Sequence, residues 1–269
     1  MERSRRSARW FAAALMLAAA TAAARAQAPK AQPKTHRLEA TPSTVAYGHY
    51  WADMKPALTI NSGDIIDVDT LLTSVPDRLE KSGVPASEVQ SSLRAIVDQV
   101  KDRGPGGHIL TGPVYVTGAE PGDALEVKIL SIDLPIGYGY NGCSGFVREN
   151  CEQGRGQSII PLDRKNMTAT FLPGIVIPLK PFFGSMGVAP LPAAGRVSSN
   201  PPGTYAGNLD NKELVAGTTL YIPVHVKGAL FEVGDGHAAQ GDGEVDQTAI
   251  ETSLRGRLQL TVRKGMRSE

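Results

Sequence analysis

Short runs in which apolar and polar residues alternate recur along most of the chain, and Gly, Pro or Asp bounds each of them. Alternation with a period of two is typical of strands that bury one face. The clearest runs are residues 57–61, 65–69, 124–134, 218–227 and 257–263. The sequence therefore predicts a mainly β protein, built as a loop-rich β-sandwich or a barrel-like fold.

One stretch has the longer period of a helix. Its apolar residues recur three or four positions apart and would share one face: Val89, Leu93, Ile96, Val97 and Val100. Ser87 and Gln90 stand at the spacing of a capping box, so we expect one prominent helix at about residues 88–103. Its apolar stripe is expected to pack in the core and to carry no chemistry.

The first 26 residues have the pattern of a secretory signal, with a basic start, the apolar run 10–20 and an Ala-Arg-Ala site at 24–26. This run is too short to span a bilayer. We therefore expect an exported protein, periplasmic or secreted, without stable membrane insertion after cleavage. Residues 27–41 are rich in Ala, Pro, Gln and Lys and predict a flexible arm, which leaves 42–269 as one domain.

Charge and cysteine content narrow the function further. Residues 1–26 hold five Arg and one Glu, so the 28 basic and 27 acidic residues of the full chain leave a small acidic excess after cleavage. This balance argues against non-specific nucleic-acid binding.

The two cysteines, Cys143 and Cys151, are eight residues apart. In an oxidising compartment such a pair predicts a disulfide that closes a loop.

Residues 228–251 concentrate candidate chemistry. The stretch GALFEVGDGHAAQGDGEVDQTAIE combines one His and two Gln with many carboxylates and glycines. We interpret it as a tight loop whose glycines adopt positive φ and whose polar side chains converge. An imidazole among carboxylates suits Zn²⁺ or a similar ion, with a carboxylate left as general base. A purely structural loop is the alternative, whereas the spacing does not fit an EF-hand.

Several blocks carry a resemblance to a known family. They are residues 106–123 (GGHILTGPVYVTGAEPGD), 181–190, 201–214, 217–245 and 248–251. In this order they resemble the acetamidase/formamidase family. The resemblance implies a β-rich fold, a divalent metal, and hydrolysis of a short amide to a carboxylate and ammonia. The cysteine-bearing stretch 137–154 matches none of these blocks.

The blocks supply the candidate metal ligands, which are His108, Glu120, Asp210 and His237. Asp210 has an alternative role in an Asx turn with Asn208, and Glu120 has one as a solvated turn carboxylate. Zinc is the metal that we expect from an imidazole among carboxylates, with calcium as the alternative.

Two carboxylates compete for the role of general base. Glu244 is preferred over Glu251, because a loop carboxylate reaches water more readily than one in a packed element. Gln240 is the candidate for binding the substrate amide, since it offers both a donor and an acceptor.

The leading hypothesis is an exported, metal-dependent amidohydrolase acting on a formamide-like or acetamide-like substrate. A second hypothesis keeps the chemistry and changes the substrate to another amide or a urea-like compound. A third is a periplasmic metal-binding or small-ligand-binding protein without amidase activity. The sequence lacks the G-x-S-x-G elbow of a serine hydrolase. A homodimer is the expected assembly.

Overall fold

The computed structural model describes residues 32–151 and 157–266, which are mainly β. Residues 1–26 and the first part of the predicted arm, residues 27–31, lie outside the described residues. In chain order the strands are β1 (Thr35–Leu38), β2 (Val45–Tyr47), β3 (His49–Tyr50), β4 (Leu58–Asn61), β5 (Ile65–Asp69), β6 (Ile109–Thr117), β7 (Ala124–Asp133), β8 (Tyr138–Gly142), β9 (Gln157–Asp163), β10 (Thr168–Leu172), β11 (Ile175–Pro178), β12 (Phe182–Gly187), β13 (Val197–Ser198), β14 (Ala206–Asn208), β15 (Thr219–Pro223), β16 (Phe231–His237), β17 (Glu251–Thr252) and β18 (Arg255–Arg263).

Two large sheets hold most of these strands. The smaller sheet has the order β1-β5-β18-β7-β15, and the larger one runs β11-β10-β9-β8-β17-β16-β12-β14, with β6 joining β16 to β2 and β4. A single hydrophobic core includes side chains from both sheets, among them Ile66 and Leu258 from the smaller and Phe183 and Phe231 from the larger. The mainly β prediction is confirmed, and neither sheet closes into a barrel over the described strands.

The predicted arm is wrong for its last part. Thr35–Leu38 forms strand β1, which pairs in parallel with Ile65–Val68 of β5. Leu38 is 4% exposed and belongs to the core. The compositional argument failed here because a short edge strand needs only one or two apolar side chains to be held in place.

The helix lies where the sequence predicts it, but it is shorter. Helix α1 is Pro76–Lys81 and helix α2 is Ser91–Gln99. Leu93 and Ile96 of α2 are buried as expected. The capping box does not form: Gln90 is the N-cap without a side-chain cap bond, and its Oε1 accepts a hydrogen bond from Ser253 Oγ instead. No helix within residues 32–151 and 157–266 has the length and apolar character that a bilayer crossing requires.

Strand β16 is buried along its whole length in the larger sheet. All seven of its residues are buried, and it pairs with β12, β6 and β17. The interpretation of residues 228–251 as one tight loop is therefore wrong for this part. Gly234 and Gly236 do not adopt positive φ. Each is required by close packing, since a Cβ would lie 2.5 Å from Ile109 O or 2.6 Å from Thr252 O.

The cysteine prediction is confirmed. Cys143 and Cys151 form a disulfide with their Cα atoms 5.8 Å apart. The bond closes a short segment that begins directly after β8 and contains a 3₁₀ helix, Gly145–Asn150.

Candidate metal and catalytic centre

Five chain segments bring ionisable side chains to the end of β16. Asp235 and His237 lie two residues apart on β16, and their side chains converge although Asp235 has a φ of 56°, outside the extended region. Glu251 on β17 is the cross-strand partner of His237. The other three residues come from connections: His108 directly before β6, Asp210 after β14, and Glu244 between β16 and β17.

His237 lies at the centre of this cluster. Its Nε2 atom is 3.6 Å from Asp235 Oδ2, 3.6 Å from Glu244 Oε1 and 3.4 Å from Glu251 Oε1. His108 Nε2 lies 3.6 Å from the same Asp235 oxygen. Two groups share His237, one with Asp210 and Glu244 and one with Asp235 and Glu251, and within each group the possible ligand atoms lie within 4.8 Å of one another.

Neighbouring polar groups fix the orientation of both imidazole rings. Gln240 Nε2 donates to the carbonyl of Asp210 at 2.7 Å, so its Oε1 must face His237 Nδ1, which lies 2.9 Å away and donates to it. The Nδ1 atom of His108 lies 3.1 Å from the carbonyl oxygen of Ser199, which can only accept. Each Nδ1 therefore carries a proton, and in a neutral ring each Nε2 presents a lone pair to the cluster. Metal-binding histidines are held in this way.

The same bonds change the interpretation of Gln240. It was predicted to bind the substrate amide, yet both ends of its own amide are engaged within the protein. It therefore acts on His237 by fixing the ring's tautomer and orientation.

Three atoms of the cluster are buried without a hydrogen-bond partner: Asp210 Oδ1, His237 Nε2 and Glu244 Oε1. Buried polar atoms are normally paired, because an unpaired one loses its hydration without compensation. Here the unpaired atoms belong to one group of candidate ligands. The arrangement has the donor set of a cation site.

Gly184 on β12 leaves the space beside these donors open. A Cβ at this position would lie 2.5 Å from Asp235 Oδ2, 2.7 Å from Asp210 Oδ1 and 2.8 Å from His237 Cε1. The ring of Phe182 packs edge-on against His237 with the centroids 5.0 Å apart. Phe182 therefore forms an apolar side of the site, and at Gly184 no side chain fills the space beside the donors.

Burial opposes ionisation of most carboxyl groups in the cluster. It raises the pKa of Asp210 to about 6, of Glu244 to about 7 and of Glu251 to about 8. Burial would also raise the pKa of Asp235, but the two flanking imidazoles outweigh it and lower the value to about 2. The pKa of His237 is raised, because the surrounding carboxylates outweigh the burial that would lower it. A positive charge is therefore strongly favoured at this position.

The cluster contains Asp235, which was not among the candidates from the sequence, and it does not contain Glu120, which was. Asp235 was missed because the stretch was interpreted as a loop; its spacing of two from His237 would have placed both on one face of a strand. Glu120 lies in an exposed turn in which its backbone N–H donates to Asp123 Oδ2. It belongs to neither candidate ligand group and, unlike His108, forms no ion pair with the cluster in the described part of the chain, so it is no longer expected to bind the metal.

Asp210 contacts Asn208 through its side chain and not as an Asx turn, which would need a bond to a backbone N–H. Its Oδ2 accepts a hydrogen bond from the side-chain Nδ2 of Asn208 at 3.0 Å. Its Oδ1 remains unpaired and belongs to the cluster. The Asn208 side chain therefore orients the carboxylate and leaves one oxygen for a ligand.

A cavity of about 1270 Å³ borders the connection that carries Glu244. Its lining includes Gln240 and the residues on both sides of Glu244, but not Glu244 itself or any other member of the cluster. The cavity therefore adjoins the candidate centre without containing it.

A family model described as Acetamidase/Formamidase family matches residues 40–194 and 191–269, which together include every residue of the cluster. The chain belongs to the acetamidase/formamidase family. The resemblance stated from the sequence blocks is confirmed.

Individual members of this family show the extent of the likeness. The acetamidase of Mycolicibacterium smegmatis is 27% identical over 201 residues, covering 52% of this chain and 49% of that protein. The formamidase of Methylophilus methylotrophus is 27% identical over 191 residues, covering 51% and 47%. The crystal structure of an acetamidase from Bacillus halodurans superposes with a TM-score of 0.68 at 28% identity, covering 85% of this chain and 71% of that one. The matches to the two curated relatives span about half the length of each.

Proposed function

We propose that this chain is an exported, metal-dependent amidohydrolase that cleaves a short-chain amide, of the formamide or acetamide type, to a carboxylate and ammonia. Family membership supports the reaction class. The observation that carries the proposal is the unpaired, buried Nε2 of His237, faced by three carboxylates and next to a second oriented histidine.

The residues present fit a divalent cation. His108 and His237 each offer a correctly oriented Nε2, and Asp210, Asp235 and Glu251 offer carboxylate oxygens around them. Mixed nitrogen and oxygen donors favour zinc or a similar transition metal, whereas calcium prefers oxygen ligands alone. When bound, such an ion supplies Lewis-acid polarisation of the amide carbonyl.

Glu244 is the residue that we assign to proton transfer. Its side chain is 19% exposed, against 5% for Glu251, and its Oε1 is unpaired, whereas Glu251 Oε1 accepts a hydrogen bond from the N–H of Ala249. Glu244 can therefore meet a water molecule at the edge of the site. Its carboxylate accepts a proton from the attacking water and passes it to the leaving nitrogen, so that amide and water become a carboxylic acid and ammonia, which exchange a proton to give carboxylate and ammonium.

Two positioning residues support this chemistry. Gln240 keeps His237 Nδ1 protonated, and Ser199 does the same for His108. Both leave Nε2 as the atom directed at the cluster. Loss of such partners commonly weakens metal binding or activity by about 10–100-fold.

Export is proposed from the secretory pattern of residues 1–26 and is supported by the disulfide between Cys143 and Cys151. Structural disulfides persist in oxidising compartments such as the periplasm. The proposed location is therefore periplasmic or extracellular.

Ammonia release from a panel of formamide, acetamide, larger amides and urea tests this function directly. We expect release from at least one short amide, loss after treatment with a chelator, and recovery when zinc is added back. Metal binding without ammonia release from any amide would instead identify a binding protein on the same fold.

A further inference from the structure

The disulfide-closed segment Cys143–Cys151 lies against the chain that follows Glu244. Ser144 Oγ donates a hydrogen bond to the carbonyl of Asp246 at 2.7 Å. The backbone N–H of Phe146 donates to the carbonyl of Val245 at 2.9 Å. The two residues next after Glu244 are therefore both bonded to this segment.

The end of strand β8 lies directly before the disulfide-closed segment. It also bonds to the connection between β16 and β17, at residues 248 and 249. The N–H of Gly142 donates to Thr248 Oγ1 at 2.8 Å, and Asn141 Nδ2 donates to the carbonyl of Ala249 at 3.1 Å. Gln247 Oε1 also lies 3.2 Å from Ser144 Oγ, so all five positions from 245 to 249 are bonded either to the end of β8 or to the disulfide segment.

The approach of the two segments is close enough to require glycine. Gly145 has a φ of 58°, and a Cβ built on it would lie 2.8 Å from the carbonyl oxygen of Val245. Neither the backbone conformation nor the contact suits a residue with a side chain. The segment is thus shaped to fit the backbone directly after Glu244.

Glu244 has few other contacts. Its Oε1 has no hydrogen-bond partner and lies 3.6 Å from His237 Nε2, its carbonyl accepts a hydrogen bond from the N–H of Gln247 at 3.0 Å, and residues 241–243 before it are exposed. Nearby Asp242 forms an ion pair with Lys212, but that carboxylate is 96% exposed, and exposed pairs of this kind contribute little. The position of the Glu244 carboxylate therefore depends on the backbone of the residues that follow it.

We propose that the disulfide-closed segment Cys143–Cys151 is a positioning element for Glu244, which holds this carboxylate at proton-transfer distance through Val245 and Asp246. The inference rests on the proposed role of Glu244 as general base. The disulfide limits the conformations of the segment, and the segment fixes the backbone of residues 245–246 by hydrogen bonds. This backbone in turn limits the positions that the Glu244 carboxylate can take. A misplacement of about 1 Å at a catalytic group is enough to lower turnover by about 10²-fold.

Two variants and one control test this chain of contacts. Ser144→Ala removes the bond to Asp246 and keeps the disulfide, whereas the double variant Cys143→Ser/Cys151→Ser removes the covalent closure. Ser82→Ala is the control, because it removes a similar side-chain bond to a carbonyl, that of Arg78, at the end of α1. The readouts are the hydrogen exchange of amides 241–248 in the metal-free full chain, and kcat and KM separately with the zinc-loaded protein.

We expect faster exchange at residues 244–247 in both test variants and unchanged exchange in Ser82→Ala. We also expect kcat to fall by about tenfold or more in the double variant, with KM nearly constant and the acid limb of the kcat–pH profile shifted. Unchanged exchange at residues 244–247 in Ser144→Ala and in a folded double variant would overturn the proposal. Unchanged kcat and pH profile in both would overturn it equally.

The two proposals fail separately. If the wild-type protein releases no ammonia from any amide, the proposed function fails, and the exchange measurement still decides whether this segment orders the Glu244 connection. If the double variant does not fold, hydrogen exchange and the kinetic constants are both measured on Ser144→Ala, and its result decides.

Discussion

The carboxylates of the two large sheets have opposite surroundings. In the smaller sheet, Asp67 and Glu126 each receive two hydrogen bonds from one guanidinium, Arg255 at 2.8 and 2.7 Å and Arg263 at 2.7 and 2.8 Å. These bonds lower the pKa of both carboxyl groups. At the end of β16 in the larger sheet, the ion pairs of the carboxylates are with imidazoles only, and burial raises the pKa of most of them.

This difference in pairing separates two kinds of carboxylate. Those bonded to arginine stabilise the fold, whereas those of the cluster are candidates for binding a ligand. A carboxylate that only has to stabilise a sheet can be neutralised by an arginine on the next strand. Several buried carboxylates with unpaired atoms raise the free energy of the protein unless a cation joins them. The unpaired carboxylates and His237 are therefore groups that could hold a cation from outside the chain.

The largest effect is expected from removing the central donor. His237→Ala should abolish both bound metal and ammonia release, because both candidate ligand groups contain this residue. His225→Ala is the matched control, since His225 bonds only to the carbonyl of Thr204 away from the cluster. Elemental analysis of the purified variants measures the metal. Equal metal content in wild type and His237→Ala would refute the assignment.

The next largest effect separates the two glutamates. Glu244→Gln keeps the shape of the side chain and removes the proton acceptor, so kcat should fall by about 10²–10⁴. The metal content should stay normal, because the second candidate group, Asp235, His237 and Glu251, remains complete. Glu251→Gln should weaken metal binding instead, because this carboxylate is buried beside His237. If Glu244→Gln remained active and Glu251→Gln lost turnover with its metal in place, the roles would be reversed.

A smaller effect is expected at the wall of the site. Gly184→Ala introduces a methyl group into the space beside Asp210, Asp235 and His237, so the carboxylates must shift. We expect weaker metal affinity and a loss of about 1–3 kcal/mol in the free energy of unfolding. Gly137→Ala is the control, because a Cβ there meets no heavy atom within 4 Å. Equal behaviour of the two variants in metal titration and thermal unfolding would contradict the packing argument.

The smallest effect belongs to the paired carboxylates of the smaller sheet. Arg263→Gln breaks the bidentate bond to Glu126, but the arginine side chain is 49% exposed. The free energy of unfolding should therefore fall by only about 0–1 kcal/mol, and less at high salt. Activity and metal content should not change. Denaturant unfolding at two salt concentrations measures the effect, and a loss of activity would show that the two regions are not independent.

Much of the larger organisation could be predicted from the sequence. Each of the five alternating runs contains a strand, because period-two burial is a local property that the sequence shows directly, but the run 218–227 is a strand only over Thr219–Pro223. Glu244, Glu251, His108, Asp210 and His237 were chosen from four separate blocks and lie in one cluster, although their chemical roles stay predictions.

The errors arose where tertiary contacts override local patterns. Gly234 and Gly236 suggested a turn, but they allow β16 to pack closely between its neighbours. Because the strand was interpreted as a loop, Asp235 was not selected as a site residue. Gln90 fitted a capping box, but its side chain accepts a bond from Ser253, which is far away in the sequence. Glu120 resembled a ligand because it stood in a matching block, and only the fold places it in an exposed turn.

Calorimetric titration of the chelator-treated protein with zinc, at about pH 6.5 and in two buffers of different ionisation enthalpy, tests the central claim most directly. We expect saturable binding of about one or two ions per chain, with proton release. The sign follows from burial, which raises the pKa of Glu244 to about 7 and of Glu251 to about 8, so that protons held at this pH must leave when the cation enters. The affinity should accordingly increase with pH. Absence of saturable binding, or equal binding by His237→Ala, would contradict the account.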